Sequence, residues 1–384
     1  MEKRIYFDWA ASSPFNGMGN ISPSLYGNPS SQHSEGRAAR KALEDSRERI
    51  AGVLGVSPDT LAFTSGGTES NSIALLSTLL RPGKGRIISS LAEHASIREA
   101  MLTLEKSVKP TGNITVDSSG KVTPDTLKNA LDKYGDVRFA SAMHVNNETG
   151  AVTDIASLCA VIQNYTQKSK TSPIHFHCDL VQSTGKIPVS LSEWGIDSAS
   201  ISAHKIGGPK GIGLLYLKKP IDVFYRGGGQ ENGVRGGTEN TMGAAAFADV
   251  ICDEKSGIKN IDDNLIKAKE RWQRLIDALS SMDRCVLIPK DRKADDNSFS
   301  PFILQAAFKG IPGEVMARAL DDLGFAVSTG SACASSSPER PVLIAMGVEE
   351  NLRIEGIRIS QGYCTTNEDI DALINGIGEV LKFL

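Results

Sequence analysis

The sequence predicts an α/β protein in which a mainly parallel sheet lies between two layers of helices. Short runs rich in β-branched and aromatic residues alternate with helical patterns through the first two thirds of the chain. From about Glu239 the helical patterns become longer and strands fewer, which predicts a second, smaller α/β lobe. A chain of 384 residues is long enough to form both units.

The predicted elements follow one another in a regular order. The strand patterns LAFTSG, RIISS and VRFASAMHV each precede a helical pattern, and IHFHCDL leads to ASISAHK and GIGLLYLKK. Two long helical patterns then precede the strands CVLIP, FILQAAF and GIRIS and a last amphipathic helix, EDIDALINGIGEVLKFL. We therefore predict a large domain over residues 15–259 and a small domain made of residues 1–14 and 260–384.

Composition excludes several classes of partner. A formal net charge of −3 gives no electrostatic basis for binding nucleic acid or an anionic membrane surface. Apolar stretches such as SIALLSTLL fall short of the roughly 18 residues that indicate a membrane span. The N-terminus MEKRIYFDWAASSP has no sustained apolar region and does not resemble a signal peptide. We expect a cytoplasmic protein without membrane or nucleic-acid contacts.

The cysteines divide into one exception and five ordinary cases. Their spacing contains no C-x-x-C pair, which argues against a structural zinc site, and we expect no bound metal. Five lie in apolar periodic segments, where a buried and inert thiol is expected, at positions 159, 178, 252, 285 and 364. Cys333 lies instead in STGSACASSS, a segment of small side chains that suits a mobile loop. An incidental thiol on a surface loop is the alternative.

The segment TSGGTES, residues 64–70, is typical of a phosphate site. A strand runs into Gly66 and Gly67, and a helix begins near Thr68. Backbone N–H groups and the positive end of the helix dipole at such a turn bind phosphate. A plain strand-to-helix turn with Thr68 as its N-cap is the other interpretation.

Two charged residues follow strand ends, where ligands of parallel sheets bind. Asp179 ends IHFHCDL and could hold a cationic ring nitrogen, although a turn or capping role is open. Lys205, in SAHKIGG, could form a Schiff base, although most lysines are exposed loop residues. His175 and His177 share one strand face, where core packing is favoured over metal binding.

The combination of these features predicts a pyridoxal 5'-phosphate (PLP) site. A phosphate turn, a strand-end aspartate and a strand-end lysine are its expected parts. His94 opens a helix after a strand and could stack on the ring and move protons, or it could be an ordinary polar residue at a helix start. Thr238, in RGGTEN, is either a further phosphate ligand or part of a surface loop.

Motifs along nearly the whole chain resemble those of the cysteine desulfurases of the NifS/IscS type, in class V of the aminotransferase-like PLP enzymes. They are YFDWAASSP, YGNPSSQH, FTSGGTES, AEHASI, MHVNNETGAV, CDLVQSTGK, SAHKIGGPKGIG, RGGTEN, STGSACASSS and GIRIS. The resemblance implies PLP-dependent transferase fold type I. The large domain would bind PLP, and the small domain would carry the cysteine loop.

The resemblance also implies a role for each matching residue. Lys205 would bind the cofactor covalently, Asp179 would pair with the ring nitrogen, Gln182 with the ring oxygen, and His94 would stack on the ring. The phosphate would be held by Gly67, Thr68, Ser202, His204 and, from the second subunit of a homodimer, Thr238. Asn147 would contact cofactor or substrate, Arg358 and Asn28 would bind the substrate carboxylate, and Cys333 would be the nucleophile.

The implied reaction converts L-cysteine to L-alanine and leaves a persulfide on Cys333. The sulfur would pass to an acceptor protein such as an iron-sulfur scaffold or a tRNA-thiolation factor. A selenocysteine lyase or related β-eliminating enzyme is one alternative, and a non-catalytic interaction protein that retains the fold is another. Cys333 on its small-sided segment favours a desulfurase, and joint retention of Lys205, Asp179 and His94 argues against loss of catalysis.

Overall fold

The computed structural model describes residues 4–15, 25–81, 83, 85–169, 172–253, 260–293, 295–330 and 340–384. Its strands are β1 Ile5–Tyr6, β2 Leu61–Thr64, β3 Arg86–Ser90, β4 Thr111–Ile114, β5 Val137–Ser141, β6 His175–Asp179, β7 Ser198–Ser202, β8 Gly213–Leu217, β9 Cys285–Ile288, β10 Ile303–Phe308, β11 Phe325–Ala326 and β12 Gly356–Ser360. Its α-helices are α1 Ser34–Leu54, α2 Gly67–Leu76, α3 Ala95–Lys106, α4 Pro124–Tyr134, α5 Ile155–Ser169, α6 Leu191–Trp194, α7 Thr241–Ile251, α8 Ile261–Ser280, α9 Gly313–Asp322, α10 Pro341–Ala345, α11 Glu350–Glu355 and α12 Asn367–Phe383.

A seven-stranded sheet forms the centre of the larger unit, in the order β2-β8-β7-β6-β5-β3-β4. Strand β8 runs antiparallel to both of its neighbours, and the remaining pairs are parallel. Every residue of β2, β7 and β8 is buried, as expected for strands covered by helices on both faces. The predicted α/β class with a mainly parallel sheet is confirmed.

The smaller unit is built on a three-stranded antiparallel sheet in the order β9-β10-β12. Helices α8, α9 and α12 pack on it around a core that includes Trp272, Phe308 and Ile377, all fully buried. Strand β1 pairs with β11, so the N-terminal residues join this unit, and Phe7 lies in the same core. The predicted boundary at residue 259 lies outside the described residues, and the division into two domains stays a prediction.

The topology brings the carboxyl ends of β2, β3, β5, β6 and β7 to one edge of the large sheet. The turns that follow these strands therefore meet at that edge, and the site described below is built from them. Among the described residues, no helix is both long and apolar enough to cross a membrane.

A buried ion pair fastens the glycine-rich segment around residues 226–240 to the large unit. The Arg47 guanidinium donates to both carboxylate oxygens of Glu231, at 2.7 and 2.9 Å, and to the backbone oxygen of Leu61. The backbone N–H of Phe63 donates to the same carboxylate at 2.7 Å. Because the side chains of Arg47 and Glu231 are only 5% and 1% exposed, each charge depends on the other.

We predict that Glu231→Ala lowers the free energy of unfolding by about 3–5 kcal/mol, since it leaves the buried Arg47 with only the half-exposed carboxylate of Glu44 as an ionic partner. The matched control is Asp249→Ala. It removes the ionic partner of Arg49, which lies on α1 as Arg47 does; the side chain of Asp249 is 36% exposed and that of Arg49 is 47% exposed. The control is expected to cost less than about 1 kcal/mol. Urea denaturation measures both, and equal losses would contradict the assignment.

Candidate active site

A cavity of about 190 Å³ lies at the carboxyl edge of the large sheet. It is lined by most of the residues that the sequence predicts for a PLP site: Gly67, Thr68, His94, Asn147, Asp179, Gln182, Ser202, His204, Lys205 and Arg358. Arg358 comes from β12 of the smaller unit, so residues of both units face the cavity. Residues widely separated in sequence thus form one site.

One end of the cavity has the features of a phosphate cradle. Helix α2 begins at Gly67, after Gly66 with a φ of 150° that disfavours other residues. A Cβ on Gly66 would lie 3.7 Å from the Ser202 hydroxyl, and one on Gly67 would lie 2.6 Å from Val181 Cγ2. The Ser202 hydroxyl is buried and, among the described residues, has no hydrogen-bond partner. A phosphate on the N–H groups of α2 would satisfy it.

The Asp179 carboxylate is 4% exposed and is held by two donors. Its Oδ1 accepts from the backbone N–H of Val181 at 2.9 Å, and its Oδ2 accepts from Asn71 Nδ2 at 2.8 Å. Nearby Glu93 is fully buried, and burial, helped by the negative charge of Asp179, raises the pKa of Glu93 to about 8. Glu93 is therefore protonated at neutral pH.

Lys205 follows β7 and points to the backbone of the N-terminal segment. Its Nζ donates to the backbone oxygens of Ala10 and Ala11 at 2.7 and 2.8 Å. Gln182 Nε2 also donates to the Ala10 oxygen, and Gln182 Oε1 accepts from Lys186 Nζ at 2.9 Å. These bonds fix the orientation of the Gln182 amide. Burial lowers the pKa of Lys186 to about 7.

The two site histidines are kept neutral by their surroundings. Burial lowers the pKa of His94 and the charge of Lys205 lowers it further, against an opposing upward effect of Asp179. His94 Nδ1 accepts from the backbone N–H of Ser96 at 3.2 Å, so the proton of the neutral ring lies on Nε2. Burial, with a smaller contribution from Lys205, lowers the pKa of His204 to about 4, and its Nδ1 lies 3.3 Å from the Ser12 hydroxyl.

Arg358 and Asn147 present polar atoms suited to a ligand. Arg358 donates to the Asn147 backbone oxygen at 2.9 Å and to Asp8 Oδ1 at 2.8 Å, with its side chain 1% exposed. Its Nε and the Asn147 Oδ1 atom are buried and, within the described part of the chain, have no hydrogen-bond partner. Together with Ser202, these atoms fit a bound PLP and an amino-acid carboxylate.

Three predicted residues are not among those lining the cavity. Asn28 is exposed on a turn, where its Oδ1 accepts from the backbone N–H of Ser30. Thr238 is also exposed, as a residue reaching into a second subunit would have to be. Cys333 lies outside the described residues. The roles predicted for all three stay predictions.

Sequence reasoning missed several residues that contribute to the site. Asn71 lies one helical turn after Thr68 and lines the cavity, a spacing that could have indicated it. Asp8, Ala10 and Ala11 lie in the quoted motif YFDWAASSP, yet no role followed for them. Lys186 lies four residues after Gln182 and donates a hydrogen bond to its side chain.

Other expectations are corrected or refined by the structure. Cys364 is exposed, and Cys252 and Cys285 are half-buried, so the expectation of five buried thiols is wrong beyond Cys159 and Cys178. Cys364 was misjudged because it lies in a turn before α12 and not within a periodic element. The described residues contain no His, Cys, Asp or Glu cluster able to hold a metal.

The fold and the cavity define a PLP-dependent enzyme of fold type I, with lysine, aspartate and phosphate cradle at the carboxyl edge of the sheet. The chain belongs to the class V aminotransferase family, whose sequence pattern matches residues 5–373. Within that family it is similar to cysteine desulfurase IscS of Dictyoglomus turgidum, with 36% identity over 100% of this chain and 96% of the relative.

Two further relatives agree with this assignment. A NifS/IcsS protein homolog of Lactobacillus delbrueckii subsp. bulgaricus is 36% identical over 98% of this chain and 97% of its own. A solved structure of a NifS-like protein has a TM-score of 0.87 and 30% identity, covering 100% of both chains. The predicted NifS/IscS resemblance, fold type I and PLP as cofactor are confirmed.

We predict that Glu93→Gln changes the pH dependence of stability. The pKa of Glu93 lies near 8 in the folded protein against an ordinary value of 4.5. The stabilisation from its proton is therefore complete below about pH 4.5 and is lost as the pH rises through about 8. Glutamine keeps the neutral shape, so the variant should gain stability relative to the wild type across this window.

Urea denaturation of both proteins between about pH 5 and 9 measures that difference in the free energy of unfolding. Glu99→Gln, an exposed change on helix α3, is the control and should give no such trend. A wild-type-to-Glu93→Gln difference that stays constant over the window would show that Glu93 does not carry this proton.

Proposed function

We propose that this chain is a PLP-dependent cysteine desulfurase that converts L-cysteine to L-alanine and takes up the sulfur as a persulfide on Cys333. The observation that carries the proposal is the joint presentation of Lys205, Asp179 and the Gly66–Gly67 turn to one cavity. The desulfurase relatives named above support the choice of substrate.

The cofactor would be held at three points. Lys205 would bind its carbonyl carbon, Asp179 would accept a hydrogen bond from its ring nitrogen, and Gly67, Thr68, Ser202 and His204 would hold its phosphate. When bound, PLP supplies an electron sink that withdraws charge from the carbon skeleton of an amino acid. A buried carboxylate at Asp179 favours the protonated, more electron-withdrawing ring.

The substrate carboxylate would bind Arg358. The Arg358 Nε atom is buried and is one of the unpartnered donors found within the described residues, while the two other nitrogens contact Asn147 and Asp8. A carboxylate can accept two parallel N–H groups of a guanidinium. Asp8 and the substrate would then compete for the same cation, and Asn147 Oδ1 would accept from the bound molecule. Asn28, which is exposed on a turn, would be a second ligand of the substrate carboxylate.

The described residues on either side of the Cys333 segment support a position of Cys333 near the cavity. Ser328 exchanges backbone hydrogen bonds with Arg358, at 2.6 and 3.2 Å, and Arg340 donates to the Gly356 backbone oxygen at 2.7 Å. Described residues on both sides of segment 331–339 thus contact β12, the strand that carries Arg358. An extended residue spans at most about 3.6 Å, so five residues from Ser328 reach up to about 18 Å.

The sulfur transfer is balanced without an added oxidant or reductant. The Cys333 thiolate attacks the sulfur of bound L-cysteine, because thiolate is the nucleophilic form. A sulfur–sulfur bond forms and the carbon–sulfur bond breaks, with its electron pair left on the substrate carbon. Protonation of that carbon yields alanine, and one Cys333 persulfide remains. His94 Nε2–H and Lys205 are the proton carriers that face the cavity.

A homodimer and a sulfur-acceptor protein complete the proposal. Thr238 would contact the phosphate of the other subunit from its exposed position. Phe224 and Tyr225 are 61% and 73% exposed, and the Tyr225 backbone oxygen accepts from Gly236, so these aromatic rings lie close to the Thr238 segment and suit a subunit interface. The acceptor would be an iron-sulfur scaffold or a tRNA-thiolation factor, in the cytoplasm, where thiols stay reduced.

We predict that Lys205→Ala abolishes the visible absorbance of the cofactor and lowers alanine formation at least about 1,000-fold, since no amine remains to bind the carbonyl. Lys210→Ala, an exposed lysine just after it in the chain, is the control and should keep both. A colourless wild-type protein, or a Lys205→Ala protein that keeps its absorbance, would contradict the assignment.

We predict that Cys333→Ser keeps the cofactor absorbance but lowers alanine formation from L-cysteine at least about 100-fold, because a hydroxyl does not accept sulfur. Cys364→Ser removes an exposed thiol elsewhere in the chain and should stay within about twofold of wild type. Assays of alanine and of protein-bound persulfide measure both. Undiminished alanine in Cys333→Ser would rule out the Cys333 persulfide as a step in alanine formation.

A further inference from the structure

A line of buried and partly buried polar side chains runs from Asp179 away from the cavity, along one face of the large sheet. Asn71 contacts the carboxylate, and its Oδ1 lies 2.9 Å from His177 Nε2. His177 Nδ1 lies 2.8 Å from the Ser198 hydroxyl, and His175 Nε2 lies 2.7 Å from the same hydroxyl. Arg81 lies at the far end of the line, with its Nη2 atom 3.4 Å from His175 Nδ1.

The direction of every hydrogen bond in this line is fixed by its two ends. An ionised carboxylate only accepts, so Asn71 must present its Nδ2 to Asp179 and its Oδ1 to His177. His177 then donates from Nε2, and its Nδ1 accepts from Ser198. The Ser198 oxygen accepts from His175 Nε2. At the far end Arg81 only donates, which agrees with an accepting His175 Nδ1.

A second branch of hydrogen bonds leads from Asn71 through Ser96 to His94. The other N–H of Asn71 Nδ2 donates to the Ser96 hydroxyl at 2.9 Å. That hydroxyl lies 2.9 Å from His94 Nδ1, a nitrogen that already accepts from a backbone N–H. The Ser96 proton therefore points to His94 as well. Since both N–H groups of Asn71 are used inside the protein, Asn71 acts on a ligand through Asp179 and His94.

The surroundings favour one arrangement of protons. Asn71, His177 and Ser198 are at most 1% exposed. The Phe139 ring stacks on His175 with centroids 5.0 Å apart and on His177 with centroids 6.2 Å apart. Burial lowers the pKa of His175 and of His177 to about 3, so both rings stay neutral with one proton each. A neutral imidazole ring has one N–H donor and one acceptor nitrogen, so the hydrogen bonds on its two sides must point the same way along the line.

We propose that Asn71, oriented by His177 and Ser198, is a positioning residue that fixes the Asp179 carboxylate and the His94 ring for the cofactor. The proposal rests on the proposed function, in which Asp179 pairs with the ring nitrogen and His94 stacks on the ring. Every side chain in the line then serves the site, and the two histidines on β6 are structural donors in place of metal ligands.

The position of the histidine protons tests the direction of the line. Nitrogen NMR of the full-length chain labelled with ¹⁵N-histidine, with and without added PLP, distinguishes a proton on Nδ1 from one on Nε2. We expect Nε2–H for His175, His177 and His94. A proton on Nδ1 of His177 would reverse the line and overturn the proposal.

Ser198→Ala and Ser200→Ala form a matched pair for the effect on the cofactor. Both serines lie on β7 and are fully buried, but Ser200 lies 3.4 Å from His177 Nε2 and is not needed for the line. Ser198→Ala should weaken PLP binding about threefold to tenfold and shift the visible cofactor band, because His177 Nδ1 loses its donor. Ser200→Ala should stay within about twofold, with an unshifted band.

Asn71→Ala provides a second test at the branch point and should exceed Ser198→Ala in both readouts, because it removes the donors to Asp179 and Ser96 together. Equal PLP affinity and an unshifted band in Ser198→Ala and Ser200→Ala would overturn the proposal. A wild-type protein that binds no PLP would instead contradict the proposed function, while the histidine protons would still report the direction of the line.

Discussion

The hydrogen bonds accepted by the Asp179 carboxylate are the interaction on which the rest of the site depends. Removing an ionised carboxylate from water costs several kcal/mol unless donors replace the lost hydration. Two donors come from the protein, the Val181 N–H and Asn71 Nδ2. A third position remains for a protonated ring nitrogen. In the proposed function, the carboxylate would stabilise a cationic ring in a place where water cannot do so.

The sheet explains why these groups meet. Asp179 ends β6 and Lys205 follows β7, its parallel neighbour, so both lie at one edge of the sheet. The Gly66–Gly67 turn follows β2 and His94 follows β3, which end at the same edge. The smaller unit adds Arg358, and the N-terminal segment runs between the units to contact Lys205 and Arg358. In the proposed function, cofactor contacts would thus come from the larger unit and the substrate contact of Arg358 from the smaller one.

The residues that sequence reasoning found are those whose role depends on local position. Asp179, Lys205 and Gly67 could be predicted because each follows an apolar strand, and parallel strands end at one edge. Arg358 and Asn147 followed from the family resemblance, since nothing in their local pattern indicates a ligand.

Residues whose role depends on contacts between distant elements could not be found in this way. Asn71 on α2 contacts His177 and Asp179 on β6, and the pairing of Arg47 with Glu231 joins α1 to a loop far along the chain. His175 and His177 share a strand face, as their spacing predicts, but their partners Ser198 and Asn71 come from two other elements. The register of β6 with β7 brings Ser198 beside His177, and the packing of α2 on the sheet brings Asn71 to it.

The central claim is that Asp179 holds a protonated ring nitrogen. Reconstituting the wild-type chain with PLP labelled with ¹⁵N in the ring, and recording the nitrogen chemical shift, measures this directly. The shift of a protonated pyridinium at neutral pH is the predicted result. The shift of a neutral pyridine nitrogen would contradict the assignment of Asp179 and, with it, the function of the donors that surround it.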